Sequence, residues 1–456
     1  MAGIGFELRK LLRKETFISE VQAYLYSMVI SSGPWLLSVF CLAALGVYFS
    51  RRLETTDQML FRATIVYCYA FSLIVTGPIQ LVASRFLSDR LYAKETQGTL
   101  PAFITSLALI FPLQAGLAWW FLTGVEAGLA YKILAGVLYL TISGVWLGMV
   151  FLSVAKDYHS IVAAFIGGSC LSLLASIWLG RLMGLNGLMA GFLAGQALIF
   201  LILTYRMVVE SEVVGCLSKG LISYFYRHWM LALIGLVLNL GIWIDKMIFW
   251  WSDEAHVING PISSHQIYEI STFFAYLTIV PSLAYFLVKV EVDFYDRYHS
   301  FFQSITLKQP YGSIHEIKIK MTRTLSEALR TLLIIQGLAT GLGLYLAPWL
   351  IETLNLSGLC LGIMRVAMIG AFLQCLFQLE TIILFYFDLR REALALSLFF
   401  LCANALLSWT SLKLGFPYYG YGYTYAALAS LLMGALLLEW GLRNLEYLVF
   451  AKQPVV

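Results

Sequence analysis

The chain is 456 residues long, 60% of it hydrophobic and only 12% charged, with a formal net charge of +4. Soluble globular proteins run near half apolar and a quarter charged, so this balance excludes a water-soluble globular domain, and the small, dispersed positive charge gives no support to nucleic-acid binding. The seven cysteines fall mostly inside apolar runs without a C-x-x-C, and the six histidines are scattered without an H-E-x-x-H, so no disulfide framework, metal site or cofactor is expected.

The first segment, 1–21, is basic. Over 3–15 a helix places Ile4, Leu8, Leu11 and Leu12 on one face and Arg9, Lys10, Arg13 and Lys14 largely on the other. That pattern fits an amphipathic helix on the inner leaflet of a lipid bilayer, or a solvated basic leader that only fixes orientation. The charge-free run that follows, 21–50, is too long for the apolar core of a cleavable signal and is expected to stay as a helix.

Runs of about 20 apolar residues suffice to cross the hydrocarbon. They occur at 22–49, 63–84, 99–124, 133–154, 160–180, 184–205, 229–251, 268–288, 331–351, 359–387, 393–412 and 422–442, which makes twelve. With the N-terminus cytoplasmic, the inner segments carry 22 Lys and Arg and the outer loops six (Arg51, Arg52, Arg62, Lys132, Arg181 and Lys413). The positive-inside rule therefore puts both termini in the cytoplasm.

Span one is interrupted by Ser31-Ser32-Gly33-Pro34-Trp35, where a kink or unwound turn is expected; the unwound form would serve a wet cavity, the kink only packing. Span six carries Gly187, Gly191 and Gly195 at four-residue intervals, a face for close helix packing.

The chain also overlays on itself with a break near 215. Pro78, Arg85 and Tyr92 of span two match Pro281, Lys289 and Tyr295 of span eight, and Asp157 matches Asp388. The predicted organisation is thus an N-lobe (22–210, six helices), a linker (211–228) and a C-lobe (229–456, six helices), with a cytoplasmic insertion at 291–330. Six is even, so the duplication is parallel, and two six-helix bundles around a central cavity form a transporter architecture. In the insertion, Ser313 with Glu316 reads as a capping box ahead of Ile314, Ile317, Met321 and Leu325 at helical spacing. That helix either docks a partner or lipid, or closes the inner end by packing.

Ionisable groups inside the spans sit in the second half: Asp245 and Lys246 in span seven, Arg365 and Glu380 in span ten. Such groups normally face protein or water and mark a pathway or a pair. Depth along the helices predicts that Arg365 approaches Asp245 and Lys246 in the outer half, unless each snorkels alone; Glu380 either finds a partner on another helix or lines the cavity. There is no P-loop, so the chain by itself is no ATP-driven pump, and no nucleophile–base set suggests an enzyme.

The opening string MAGIGFELRKLLRKE, the SSGPW of span one, TGPIQLVASRFLSDRLYAKE (76–95) and YFDLRREAL (386–394) resemble the inner-membrane exporters of the Pel exopolysaccharide, the PelG family, over the whole length. These lie in the polysaccharide branch of the multidrug/oligosaccharidyl-lipid/polysaccharide exporter superfamily. The resemblance implies an all-α fold in two lobes, with spans one, two, seven and eight lining the passage. It also implies a growing N-acetylgalactosamine-rich polymer made by a cytosolic PelF-like glycosyltransferase, with PelD-like and PelE-like membrane partners. Polar and aromatic side chains that would then meet substrate are Ser31, Ser32, Trp35, Gln80, Arg85, Asn239, Trp243, Asp245, Lys246, Tyr276, Tyr285, Lys289, Arg365 and Glu380. An ion-coupled drug exporter, a lipid-linked oligosaccharide flippase and a non-transporting scaffold for a synthase are the rival readings.

Overall fold

The computed structural model describes residues 17–49, 53–93, 98–155, 157–210, 217–289 and 294–452, so the helix expected at 3–15 lies outside the described residues. The elements in chain order are α1 (Phe17–Phe49), α2 (Thr55–Tyr92), α3 (Thr99–Thr123), α4 (Leu129–Ala155), α5 (Tyr158–Glu210), α6 (Lys219–Arg227) and α7 (Trp229–Trp250). A hairpin follows, β1 (His256–Asn259) and β2 (Ile262–Ser264), then α8 (Gln266–Leu277), α9 (Val280–Val288), α10 (Tyr295–Thr306), α11 (Tyr311–Thr353), α12 (Cys360–Tyr386), α13 (Arg390–Leu414) and α14 (Tyr421–Arg443).

Ten helices among the described residues are long and apolar enough to cross a membrane, taking α8 and α9 together as Gln266–Phe286. The chain is a multi-pass integral membrane protein. One of the ten, α5, is 53 residues long and leaves helical geometry at Gly184 (φ 60°, ψ −133°). At 1.5 Å per residue it would measure roughly 80 Å, far more than one hydrocarbon core of about 30 Å. The left-handed Gly184, a conformation that favours glycine, therefore divides it into two antiparallel spans. Counting both, and adding α1, is consistent with twelve crossings.

The predicted glycine face is used at that hairpin. A Cβ on Gly187, Gly191 or Gly195 would overlap backbone of Leu179, Ser176 and Gly168 respectively. Small residues let the two backbones touch, which is the main source of helix affinity where lipid removes the hydrophobic drive.

The chain divides into two compact units, Gly33–His265 and Gln266–Val456 together with the chain up to Ser32. The first has a core of Leu45 and Phe49 from α1, Leu60 and Phe61 from α2, Leu138 and Ile142 from α4, and Leu188 and Phe192 from α5. Buried polar groups are paired across helices there: Thr64 with the Tyr131 hydroxyl at 2.7 Å, and the Tyr69 hydroxyl donating to Ser38 and Gln196 at 3.0 and 3.2 Å. In the second unit α14 packs most extensively, against α12 and α13, and α12 also packs on α8, with the Phe377 ring tilted against Phe400 of α13.

Three expectations change. Span one is a single helix through Ser31–Trp35, so no turn is unwound there; Pro34 lacks an N–H, but the helix continues on either side of it. Span eight is not one helix. It breaks at Thr278–Ile279, just before Pro281, where the N–H groups of both residues make three-residue bonds back to Ala275 and Tyr276 at 3.2 Å. The capping box does not form either. Pro310 (φ −56°, ψ 142°) starts α11 at Tyr311, three residues early, which leaves Ser313 inside the first turn, where its hydroxyl donates to Gln309 at 3.2 Å and Glu316 pairs with Lys320.

From that start α11 runs 43 residues, so the insertion helix and span nine are one rod. Its apolar stripe (Ile314, Met321, Leu325) is buried, α10 packs along it, and Tyr311, His315 and Lys318 converge on Glu446 at 3.0, 2.8 and 3.6 Å. Burial works against the charged form of Glu446, but hydrogen bonds from His315 and Tyr311 and the Lys318 charge outweigh it and hold its carboxyl below the usual range.

Candidate functional site

Within the unit Gly33–His265, α2 and α7 form one continuous contact, and most of the candidate polar and aromatic residues of spans two and seven sit on it. The helices approach closely because both faces carry glycine. A Cβ on Gly77 would meet Asn239 and the Gly235 carbonyl, and one on Gly235 would meet the Gly77 carbonyl. Asn239 then donates through Nδ2 to the Leu73 carbonyl at 3.2 Å.

Further along the same contact the surface turns aromatic. Tyr67 stacks on Trp250 with centroids 4.4 Å apart and 21° between the planes, Trp243 lies 6.1 Å from Trp250, and Phe71 lies 6.4 Å from Trp251. Trp251 is more than half exposed, and the buried Nε1 of Trp243 has no hydrogen-bond partner among the described residues. Beside it, Lys246 pairs with the fully buried Asp245 at 3.1 Å, bonds the Ile242 carbonyl at 3.3 Å, and sits 5.7 Å above the Trp243 ring. Burying an ion pair is tolerable only when further hydrogen bonds and ring contacts offset the desolvation, as they do here. The result is a largely buried aromatic wall, open to solvent at Trp251, with a paired Asp245–Lys246 and an indole donor that has no partner among the described residues.

The other unit holds a polar hub that the sequence reading missed. Gln374 of α12 is 1% exposed and its Oε1 accepts from the Tyr276 hydroxyl of α8 at 2.9 Å and the Tyr423 hydroxyl of α14 at 2.5 Å. An amide within an apolar span was the available signal, because an uncharged polar group at that depth also needs partners. Tyr285 stacks with Tyr24 of α1, planes 7° apart and centroids 6.2 Å apart.

Among the remaining candidates, Gln80 and Arg85 also lie on α2. Gln80 donates to Thr76 on its own helix at 2.7 Å. Arg85 pairs with Asp89 one turn on, at 3.2 Å, and Asp89 also takes a hydrogen bond from the Tyr224 hydroxyl of α6. Ser32 is buried in α1, whereas the side chains of Ser31 and Trp35 lie outside the described residues. Lys289 is half-buried at the end of α9. Arg365 is exposed on α12, in the unit that does not contain Asp245. Glu380 is buried on the same helix; its Oε2 lies against Gly434 of α14 with no hydrogen-bond partner among the described residues. No three His, Cys, Asp or Glu side chains among the described residues converge as metal ligands.

The family model described as "PelG: Putative exopolysaccharide Exporter (EPS-E)" matches residues 1–450. The chain belongs to the PelG exopolysaccharide-exporter family. Solved structures agree on the fold. A MATE transporter in complex with MaL6 aligns at a TM-score of 0.67 and 12% identity, covering 93% of this chain and 97% of its own. An outward-facing multidrug resistance MATE transporter of the MOP superfamily aligns at 0.66 and 14%, over 93% and 97%. A MOP superfamily transporter from Pyrococcus furiosus aligns at 0.65 and 13%, over 93% and 96%. No curated relative matches the chain. At such identities these structures establish the architecture, and the family establishes the class of activity: this is a transporter of the exopolysaccharide-export type, resident in the bacterial inner membrane.

Proposed function

We propose that the chain conducts a growing exopolysaccharide, N-acetylgalactosamine-rich as in Pel, out of the cytoplasm along spans one, two, seven and eight. A cytosolic PelF-like glycosyltransferase supplies the polymer, PelD-like and PelE-like membrane partners hold the two together, and elongation drives the movement. Twelve crossings in two six-helix lobes with both termini inside accompany this reading. The single observation that carries it is the α2–α7 wall. Aromatic faces suit the apolar faces of sugar rings, the unpartnered Trp243 Nε1 offers a donor to a hydroxyl, and the Asp245–Lys246 pair leaves the surface neutral for a polymer with few charges.

Secreted polymer from cells carrying Trp243→Ala or Trp243→Phe tests it. The alanine variant should export at least tenfold less at equal membrane abundance, and phenylalanine, which keeps a ring but no donor, should fall between. Full export by Trp243→Ala would remove the wall from the path.

A second reading, coupling to an ion gradient, has its own observation. Glu380 is a carboxyl more than nine-tenths buried without a hydrogen-bond partner among the described residues, and a proton or cation is the natural companion for such a group at membrane depth. Export that persists in Glu380→Gln cells and after an ionophore collapses the gradient would discard it.

A further inference from the structure

The β1–β2 hairpin grips the loop between α3 and α4. Asn259, at the end of β1, accepts through Oδ1 from the Glu126 backbone N–H at 2.6 Å and donates through Nδ2 to the Glu126 carbonyl at 3.0 Å. One side-chain amide thus pairs with one residue's backbone N–H and C=O, as a rung of sheet would. The turn then folds onto the same loop: Gly260 has φ +54°, and a Cβ there would overlap the Gly124 carbonyl. Beneath the rung, Val125 and Ile262 are both 1% exposed and share the core of this unit. At its far end the hairpin is moored to the wall, where the Tyr67 hydroxyl donates to the Ser263 carbonyl at 2.9 Å and the Ser263 hydroxyl bonds the Trp250 carbonyl.

Two properties make the grip releasable. The Asn259–Glu126 rung is exposed, so water takes over its hydrogen bonds when it parts and leaves no buried orphan. The hairpin is also the last element of the unit Gly33–His265; the next residue, Gln266, opens the other unit. In the sequence repeat, Glu126 lies in the connection between spans three and four of the first half, whereas Asn259 lies between spans seven and eight of the second. On the transport reading, with the halves of the repeat moving against each other, this rung joins a connection of the first to one of the second and parts, although both residues share the unit Gly33–His265 in this structure.

We infer that the hairpin is a latch: closed, it ties the two connections together over Val125, and it lifts each time the path opens at that end. The inference rests on the transport reading for its role, though its motion is measurable without any transport. The purified full chain in nanodiscs, with Val125→Cys and with Cys216 and the exposed Cys170 and Cys402 replaced by serine, is labelled with a maleimide. Asn259→Ala should speed labelling at least tenfold, and Asn259→Asp, which loses the donor but keeps an acceptor, should lie between. In cells, joining Glu126→Cys to Asn259→Cys by oxidation should cut export at least tenfold, with recovery on reduction. Labelling that Asn259→Ala does not accelerate, or oxidised chains that export like reduced ones, would overturn the latch. Failure of the transport reading shows itself separately, as no polymer from the reduced parent.

Discussion

Pro78 and Pro281 hold matching places in the sequence repeat, yet the first lies inside an unbroken helix of 38 residues and the second opens a new one. The proline ring removes a donor and crowds the preceding turn in both cases. Around Pro78 other groups take up the neighbouring carbonyls: Thr76 donates to Ser72 at 2.6 Å, Asn239 to Leu73 at 3.2 Å, and Gly77 lets α7 lie close enough for that amide to reach. Before Pro281, where Gly343 of α11 comes close to Thr278, the backbone instead tightens, with Thr278 and Ile279 bonding back three residues. The matched proline thus sits inside a continuous helix where neighbouring groups take up the nearby carbonyls, and at a break where the backbone bonds back three residues.

The largest expected effect breaks the first of these arrangements. Gly77→Val drives a branched side chain into the Asn239 amide and the Gly235 backbone, which cannot yield as a flexible side chain would. The cost should reach about 3 kcal/mol or more, read as a fall in the melting midpoint of the purified protein. At Gly343 of α11, a Cβ meets Thr278 Cγ2 at 2.9 Å and Met368 Sδ at 3.2 Å, groups that can shift. Gly343→Ala should accordingly cost only about 1 kcal/mol. Equal losses at the two sites would mean that the glycine crossing is not what separates the two regions.

The next effect tests how each region satisfies its buried polar groups. Gln374→Leu takes the shared acceptor from the Tyr276 and Tyr423 hydroxyls together, which should cost about 1–3 kcal/mol at roughly 0.5–1.5 kcal/mol for each lost hydrogen bond. Asn239→Ala removes one donor from a carbonyl within a helix, and membrane hydrogen bonds average about 0.6 kcal/mol, so about 1 kcal/mol is expected. If Asn239→Ala proved the costlier of the two, the amide at the α2–α7 crossing would outrank the hub.

Crossing lengths were legible because lipid imposes one requirement, about twenty apolar residues, and each span shows it in composition alone. Where helices end was less legible. The Ser31–Trp35 string read as a breaker yet stays helical, whereas Gly184, at the start of the sixth apolar run, is where the helix leaves helical geometry, through a positive φ that Pro34 does not need. Of the residues at the α2–α7 contact, the sequence pointed to Asn239, Trp243, Asp245 and Lys246 as polar or aromatic candidates but not to Tyr67 or Trp250. Gln374 escaped because attention went to charges, whereas an amide buried in apolar helices is bound by the same need for partners. The hairpin escaped although Asn259-Gly260 within an alternating stretch is a turn signal, because a short outer loop between long spans drew no strand assignment.

The smallest effect sharpens a second matched pair, Asp157 and Asp388. Asp388 takes a positive φ of 55° and is bound by Arg390 only two residues on, at 2.7 Å. Asp157 instead accepts from the Ser160 N–H at 3.2 Å and pairs with Arg206 at 2.8 Å, tying the start of α5 to its far end. Burial disfavours the charge on Asp157, but Ser160 and Arg206 more than compensate, so its carboxyl titrates below the ordinary value. A depressed folded pKa stabilises above the unfolded value near 3.9 and fades as pH falls through the folded one. The pair is partly exposed through Arg206, so Asp157→Asn should cost no more than about 1 kcal/mol at neutral pH, and the two proteins should melt alike below about pH 3. Asp388→Asn should cost less at every pH, because a pair spanning two residues constrains little chain. A penalty for Asp157→Asn that survives acidification would assign the contact to shape rather than to charge, and the two loops would then differ only in sequence.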